Sequence, residues 1–255
     1  PVATAWRYHD VFDHADDHYI GDVGIGMNPE IERALQESDL VIALGIRLGE
    51  MTTKGYTRLK VPVPDQKLIH VFPSHEELGR VYYPTLAIAA GAPQVADALD
   101  TLDAPKAVVW LDHLKSLRDC YVRWTTPKVS TEKVNLAEVM SALDRIVSDD
   151  AIVCNGAGNN TGWLHRYFRF TGARRQLAPT SGSMGYGLPA AIAAALAYPD
   201  RQVIAVVGDG DLQMTSQELA TVVQQHLSIV LLVVNNSMRS EEHTSELQSP
   251  CNLVC

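Results

Sequence analysis

A strand–helix–strand unit in the second half constrains this 255-residue chain more than any other feature. Gln202 to Val207 is a short apolar run of the kind found in buried parallel strands, and it ends in Gly208-Asp209-Gly210. Thr215 to Gln225 reads as a helix opened by a capping box of Thr215 and Glu218. Ile229 to Val234 is a second apolar strand, ending in Asn235-Asn236. Strands joined in this way run parallel, so their carboxyl ends share one edge of the sheet. Asp209 and Asn236 are therefore expected to be neighbours in space, at the edge where α/β folds bind ligands. Gly208 and Gly210 let the backbone turn tightly and approach a ligand closely.

A carboxylate in such a turn has the wrong sign for a phosphate, and a divalent cation resolves the conflict. A carboxylate, an amide oxygen and a backbone carbonyl form an all-oxygen set suited to Mg²⁺, which completes its octahedron with diphosphate oxygens. Gly-Asp-Gly by itself is also an ordinary turn at a strand end. The shared edge and the apolar run into Asn-Asn favour the metal.

Alternating strands and helices fill the rest of the chain. Pro1 to Ala5, Leu40 to Gly45, Lys67 to Phe72 and Thr85 to Ala89 read as strands; Pro29 to Glu37, Glu76 to Tyr82 and Pro93 to Leu102 read as helices. Ala107 to Trp124 reads as a connecting helix, and Thr125 to Thr131 as a linker. Asn135 opens a helix running to Val147. Ala151 to Cys154 is a strand ending in Asn155-Gly156-Ala157-Gly158-Asn159, and Gly182 to Leu196 is a glycine cluster entering an alanine-rich helix. The pattern predicts an α/β protein with two Rossmann-like parallel-sheet domains, three-layer α/β/α, both incomplete. The expected divisions are a first domain over 1–103, a connecting helix and linker over 104–133, a second domain over 134–238 and a tail over 239–255.

The chain carries 21 Lys and Arg against 30 Asp and Glu, a net charge of −9, and this acidic balance argues against nucleic acid or an anionic membrane as partner. No apolar run approaches the roughly 18 residues of a spanning helix. Four cysteines without a C-x-x-C pair suit a reducing cytoplasm.

Gly208-Asp209-Gly210 with Asn235-Asn236, together with Ser181-Gly182-Ser183-Met184-Gly185-Tyr186-Gly187-Leu188-Pro189, resembles the thiamine diphosphate-dependent enzymes of the acetolactate synthase and 2-oxo acid decarboxylase superfamily. The resemblance covers about residues 1–238, as most of a middle domain and the first part of a diphosphate-binding domain. It implies that Asp209 and Asn236 supply side-chain ligands to Mg²⁺ and Met238 a backbone carbonyl. Gly208, Gly210 and Asp211 would then line the diphosphate turn. Gly158, Asn159 and Asn160 stand where relatives contact the terminal phosphate with Gly-Gln-His; an Asn-rich helix start that caps itself is the alternative. Gly182, Ser183 and Met184 would wrap the aminopyrimidine, the Gly182 carbonyl accepting from its amino group. Met184 would be the wedge that bends the cofactor so that the amino group reaches the thiazolium carbon and generates the ylid. The same residues would also serve as a core methionine and tight packing glycines.

Gly45-Ile46-Arg47-Leu48-Gly49-Glu50 stands where flavin-binding relatives carry Ala-Arg-Phe-Asp-Asp. Only Arg47 is retained, which puts FAD in doubt and leaves Arg47 equally suited to a surface ion pair. His70, His75 and His165 read as structural or solvated, and Cys154 as a small buried hydrophobe. The activating glutamate of such enzymes comes from a separate pyrimidine-binding domain, and nothing here plays its part. The expectation is a fragment without a catalytic residue of its own and inactive alone, from an enzyme acting on 2-oxo acids by carboligation or decarboxylation, homodimeric or homotetrameric at full length. The alternative is a non-catalytic Rossmann-type nucleotide-binding protein. Its nearest fingerprint, Gly21, Gly24 and Gly26, has the G-x-x-G-x-G order, the reverse of the one required.

Arg239 to Ser249 matches the translation of a common sequencing-adapter oligonucleotide, and Leu253 to Cys255 matches its continuation. The tail is therefore expected to be non-native, to pack against nothing and to lack secondary structure. Without its one Arg and three Glu the net charge becomes −7, and Cys251 and Cys255 drop out of the cysteine count.

Overall fold

The computed structural model describes residues 1–103, 105–130, 134–235 and 252–254. It divides into two compact units, residues 1–6 with 17–121, and residues 7–16 with 122–255. Both are built from parallel strands and helices, the α/β architecture that the alternating pattern predicts.

In the first unit, β1 (Val2–Ala5) pairs in parallel with β2 (Tyr19–Val23). Helix α1 (Pro29–Glu37) starts with proline in its first turn, and the Asn28 side chain caps it by accepting from the Glu30 N–H at 3.0 Å. A second parallel sheet joins β3 (Leu40–Leu44), β4 (Lys67–Phe72) and β5 (Leu86–Ala89), and α2 (Ala92–Asp100) follows. Ile31 of α1 packs with Ile20, Met27, Leu114 and Leu117, the last two from α3 (Leu111–Thr125). The helix expected over Glu76 to Tyr82 is absent. Gly79 sits at φ +79°, which no α-helix accommodates, and the segment folds as successive turns. Strand β2 has no counterpart in the expected pattern, because Gly21 and Asp22 are poor strand formers and only pairing with β1 extends them.

The second unit carries α4 (Leu136–Ile146), β6 (Ile152–Asn155), α5 (Asn159–Tyr167), β7 (Arg175–Leu177), α6 (Gly187–Ala197), β8 (Val203–Gly208), α7 (Asp209–Gln213), α8 (Leu219–Gln224), β9 (Ile229–Asn235) and β10 (Asn252–Val254). Its sheet runs β10-β9-β8-β6-β7, all parallel except β10. Alternate residues of the strands face opposite layers. Val153, Ile204, Val206 and Leu232 meet Met140 of α4 and Leu164 of α5 on one side. Ile152, Cys154, Val203 and Ala205 meet Ala191, Ala194 and Ala195 of α6 on the other. The run of alanines in α6 lets that helix lie close to the sheet.

The helix expected over Thr215 to Gln225 is broken into a 3₁₀ turn at Ser216–Glu218 and the short α8, without a capping bond from the Thr215 side chain. Thr215 packs instead against Gly185: its Cγ2 is 3.1 Å from where a Cβ on that glycine would stand. Of the tail, residues 239–251 and 255 lie outside the described residues, and the three that are described depart from the expected lack of secondary structure. Asn252–Val254 pairs antiparallel with β9, Leu253 opposite Val234. An unpaired strand edge offers backbone donors and acceptors to any extended segment, whatever its side chains, so pairing there needs no matched sequence.

Residues 7–16 join the second unit through buried histidines. The His14 Nδ1 accepts from the Phe170 N–H at 3.2 Å, so its Nε2 carries the proton and donates to the His9 carbonyl at 2.9 Å. The His9 N–H donates to Gln176 Oε1, Gln176 Nε2 donates to His165 Nε2, and the His9 and His165 rings lie 4.3 Å apart. Burial holds the His165 imidazolium well below its ordinary value of 6.5, with His9, Arg7 and His14 adding to the shift. A second buried polar group is the pair Arg174–Asp144, at 2.6 Å with both side chains 6% exposed. Arg174 also donates to the carbonyls of Asp144, Val147, Ser148 and Arg169. Among the described residues, no helix is long and apolar enough to cross a membrane.

Two outcomes are expected. Arg174→Leu should destabilise the second unit by up to about 3–5 kcal/mol, because it removes the buried partner of Asp144 and leaves that carboxylate only the largely exposed Arg169, at 2.8 Å, and the urea midpoint reads this directly. The folded state binds fewer protons at His165 than the unfolded state, so this contribution to stability is full above pH 6.5 and declines as pH falls below it. Melting temperatures between pH 7.5 and 5 should fall in wild type and fall less in His165→Gln.

Candidate functional site

Strand order reverses at β6: the chain crosses from β6 to β7 on one side and then returns to β8 on the other. Loops leaving the carboxyl ends of β6 and β8 therefore diverge and open a crevice between them. Asn155 stands opposite Val206, and Gly208 opposite Val234, so the turns after β6 and β8 and the end of β9 share this edge.

Three glycine-bearing turns converge there. After β6, Gly158 adopts φ +126° and starts α5 without a side-chain cap, which leaves the first amides of that helix directed at the edge. Asn159 is exposed. Asn160 is 8% exposed, its Oδ1 lies 3.5 Å from the Cβ position of Gly208, and its Nδ2 is buried without a hydrogen-bond partner. After β8, Asp209 is half-buried at the start of α7. The third turn, residues 181–187, precedes α6. It is closed by the Gly182 N–H donating to the Pro179 carbonyl at 3.0 Å and by contact between the Ser181 and Ser183 hydroxyls. Met184 reaches across to the second turn, its Cε 3.4 Å from the Cβ position of Gly210. Arg7 donates to the Thr180 carbonyl.

Asp211 lies beneath all three. It is 1% exposed, and its Oδ1 accepts from the Gly185 N–H. Burial raises the pKa of this carboxyl, and the amides of Gly185, Gly208 and Ala157 oppose the rise. A Cβ on Gly156 would stand 1.4 Å from Asp211 Oδ2, so the carboxylate occupies the space that a side chain at 156 would need.

The structure thus brings Gly158, Asn160, Gly182, Met184, Gly208, Asp209, Gly210 and Asp211 to one edge, with Asn159 and Ser183 exposed beside it. Asn236 and Met238 lie outside the described residues. Sequence patterns did not single out Asn155 and Gln176. Gln176 Nε2 donates to Asn155 Oδ1 at 3.0 Å, and Asn155 Nδ2 donates to the Gly156 carbonyl at 2.9 Å, which ties the first turn to β7. No local signal marks a glutamine in a three-residue strand. His70 is buried with its ring against the Ile46 carbonyl, His75 is exposed, and burial pushes the Cys154 thiol up to about 12. Arg47 pairs with Glu77 at 3.1 Å. Gly21, which the dinucleotide fingerprint would need in a turn, lies inside β2.

Gly156→Ala should cost about 1–3 kcal/mol through overlap with the Asp211 carboxylate. Adding Asp211→Ala should recover part of that loss, and urea midpoints of the four proteins measure the coupling.

Two family profiles match the chain: "Thiamine pyrophosphate enzyme, central domain" over residues 1–99 and "Thiamine pyrophosphate enzyme, C-terminal TPP binding domain" over residues 156–248. The chain is 32% identical over 243 residues to the acetolactate synthase large subunit of Corynebacterium glutamicum, an alignment covering 92% of this chain and 38% of that protein. It is 31% identical over 217 residues to the acetolactate synthase isozyme 1 large subunit of Escherichia coli, covering 83% and 37%. With the mitochondrial acetolactate synthase of Schizosaccharomyces pombe it shares 29% over 250 residues, covering 92% and 37%. The chain therefore spans less than two fifths of the length of these curated relatives. The matches to the central and C-terminal TPP binding domains in this order, with the identity to acetolactate synthase large subunits, place the chain in the thiamine diphosphate-dependent enzyme superfamily, among acetolactate synthase-like members.

Proposed function

We propose that the second unit holds thiamine diphosphate through Mg²⁺ and that the whole protein acts on 2-oxo acids, in the manner of an acetolactate synthase-like carboligase or decarboxylase. The observation that carries this reading is the edge itself. A half-buried carboxylate, Asp209 at the start of α7, stands beside the uncapped start of the nine-residue helix α5, where Asn160 Nδ2 is a buried amide donor without a partner. An anion accompanied by a cation fits that donor set.

In this reading Asp209 and Asn236 ligate the metal through side-chain oxygens and Met238 through its carbonyl. The α5 amides after Gly158, with Asn159 and Asn160, receive the diphosphate, and the Gly208–Asp211 turn leaves room for it. Gly182, Ser183 and Met184 take the aminopyrimidine. The contact of Met184 with Gly210 supports a wedge, since it sets an apolar side chain between the two turns that the ends of the cofactor would occupy. The bound group supplies the nucleophilic carbon for attack on a 2-oxo acid. FAD is not included: of the flavin-contacting segment only Arg47 remains, and Glu77 engages its guanidinium. Assembly as a homodimer or homotetramer at full length and a cytoplasmic location belong to the same proposal.

Titration calorimetry tests the metal and the cofactor together. Thiamine diphosphate should bind with Mg²⁺ and not in EDTA, Asp209→Ala should abolish binding, and Asn236→Ala should weaken it less, because a neutral ligand stabilises the cation less than a carboxylate. Equal affinity with and without metal, or in Asp209→Ala, would overturn the assignment.

A further inference from the structure

The carboxylate of Asp211 has a geometry that a direct cofactor ligand does not explain. It is almost fully buried, its Oδ1 accepts from the Gly185 N–H, and its Oδ2 lies against Gly156 without a hydrogen bond of its own. It also demands glycine at 156, where any side chain would collide with it. These contacts bridge segments that the sheet does not hold equally. The turns after β6 and β8 leave neighbouring strands joined by a parallel ladder, and their spacing is fixed by that pairing. The 181–187 turn lies three residues beyond the short strand β7 and precedes a helix, and is itself outside the β6–β8 ladder. Its backbone reaches the β8 turn through the Gly185 N–H on Asp211, and its side chains reach it through Met184 on Gly210.

We propose that Asp211 is a positioning residue whose buried carboxylate, through Gly185, fixes the Gly182–Met184 turn at the spacing from the Gly208–Asp209 turn that a cofactor bound at both ends requires. The proposal rests on thiamine diphosphate occupying this edge, and it separates the two ends of that ligand. A ligand touching both turns needs the brace. A ligand touching only the metal and diphosphate end does not, and it gains from the loss of a buried negative charge nearby.

Calorimetry with two probes, Mg²⁺–thiamine diphosphate and Mg²⁺ with inorganic diphosphate, distinguishes these cases in wild type, Asp211→Asn and Asp211→Ala. Failure of wild type to bind thiamine diphosphate would count against the cofactor assignment itself, independently of the brace. With wild type binding, Asp211→Ala should weaken thiamine diphosphate by roughly tenfold or more, the scale of a lost hydrogen bond to a charged group. Affinity for inorganic diphosphate should hold or rise. Asp211→Asn keeps an oxygen for the Gly185 N–H while removing the charge that strengthens that bond, and should fall between. A general structural role would lower both affinities together, and that result, or unchanged thiamine diphosphate affinity, would overturn the proposal. If Asp211→Ala does not fold, as judged by circular dichroism, Asp211→Asn decides by the same two criteria.

Discussion

Parallel pairing of β6 with β8 is the constraint on which the second unit depends. Residue for residue, Ile152 to Asn155 lies beside Val203 to Val206, so β6 ends at the same edge as β8, two residues short of Gly208. Because the chain visits β7 between them, the loops they feed run to opposite faces and a crevice opens at their ends. Everything polar at the site follows from this pairing: the start of α5, the Asp209 turn and the buried Asp211 occupy one edge because the ladder puts them there. A one-residue slip would turn Val153 and Val206 from the α4–α5 layer to the α6 layer, so the same two-sided core that buries the strands also fixes the register of the site.

Around that edge, several buried polar groups are engaged by more than one partner. Arg174 meets Asp144 and four carbonyls, and Gln176 links the His9 backbone, His165 and Asn155 in one chain. Such networks add specificity of arrangement more than net stability, since each member that loses its partner becomes a buried liability. The groups left without hydrogen-bond partners are more informative. Asn160 Nδ2 and Asp211 Oδ2 both lie at the crevice. One is a donor at the start of a helix, suited to an anion. The other belongs to a carboxylate turned inward, which accepts from the Gly185 N–H and packs against Gly156.

Much of the fold was legible in the chain because it is written in local patterns. Helix α1 begins at a proline behind a capping asparagine, and the strands β4, β8 and β9 are apolar runs ended by polar turns. Where the local pattern was ambiguous, it failed for identifiable reasons. Glu76 to Tyr82 opens with helix-forming glutamates but also holds Gly79, whose left-handed backbone ends any helix. Thr215 and Glu218 have capping-box spacing, yet Thr215 packs against Gly185, a partner thirty residues earlier in the chain. Strands β2 and β7 carry Gly, Asp, Arg and Gln, and they are strands only because another strand lies beside them.

The same division holds for the site. Sequence by itself determined which residue types are present for the chemistry: glycines that permit close approach, an aspartate and asparagines with oxygen ligands, and a methionine among the glycines. These are properties of single residues and of spacing along one strand–helix–strand unit. Tertiary structure decided that the turn at 181–187 faces the turn after β8, that Asn160 is buried while Asn159 is exposed, and that Asp211 looks inward at Gly156 and Gly185 instead of outward. Side-chain direction at the end of a parallel strand depends on what the neighbouring loops place against it, and those loops come from segments more than twenty residues away in the chain. Local composition carries no record of that distance.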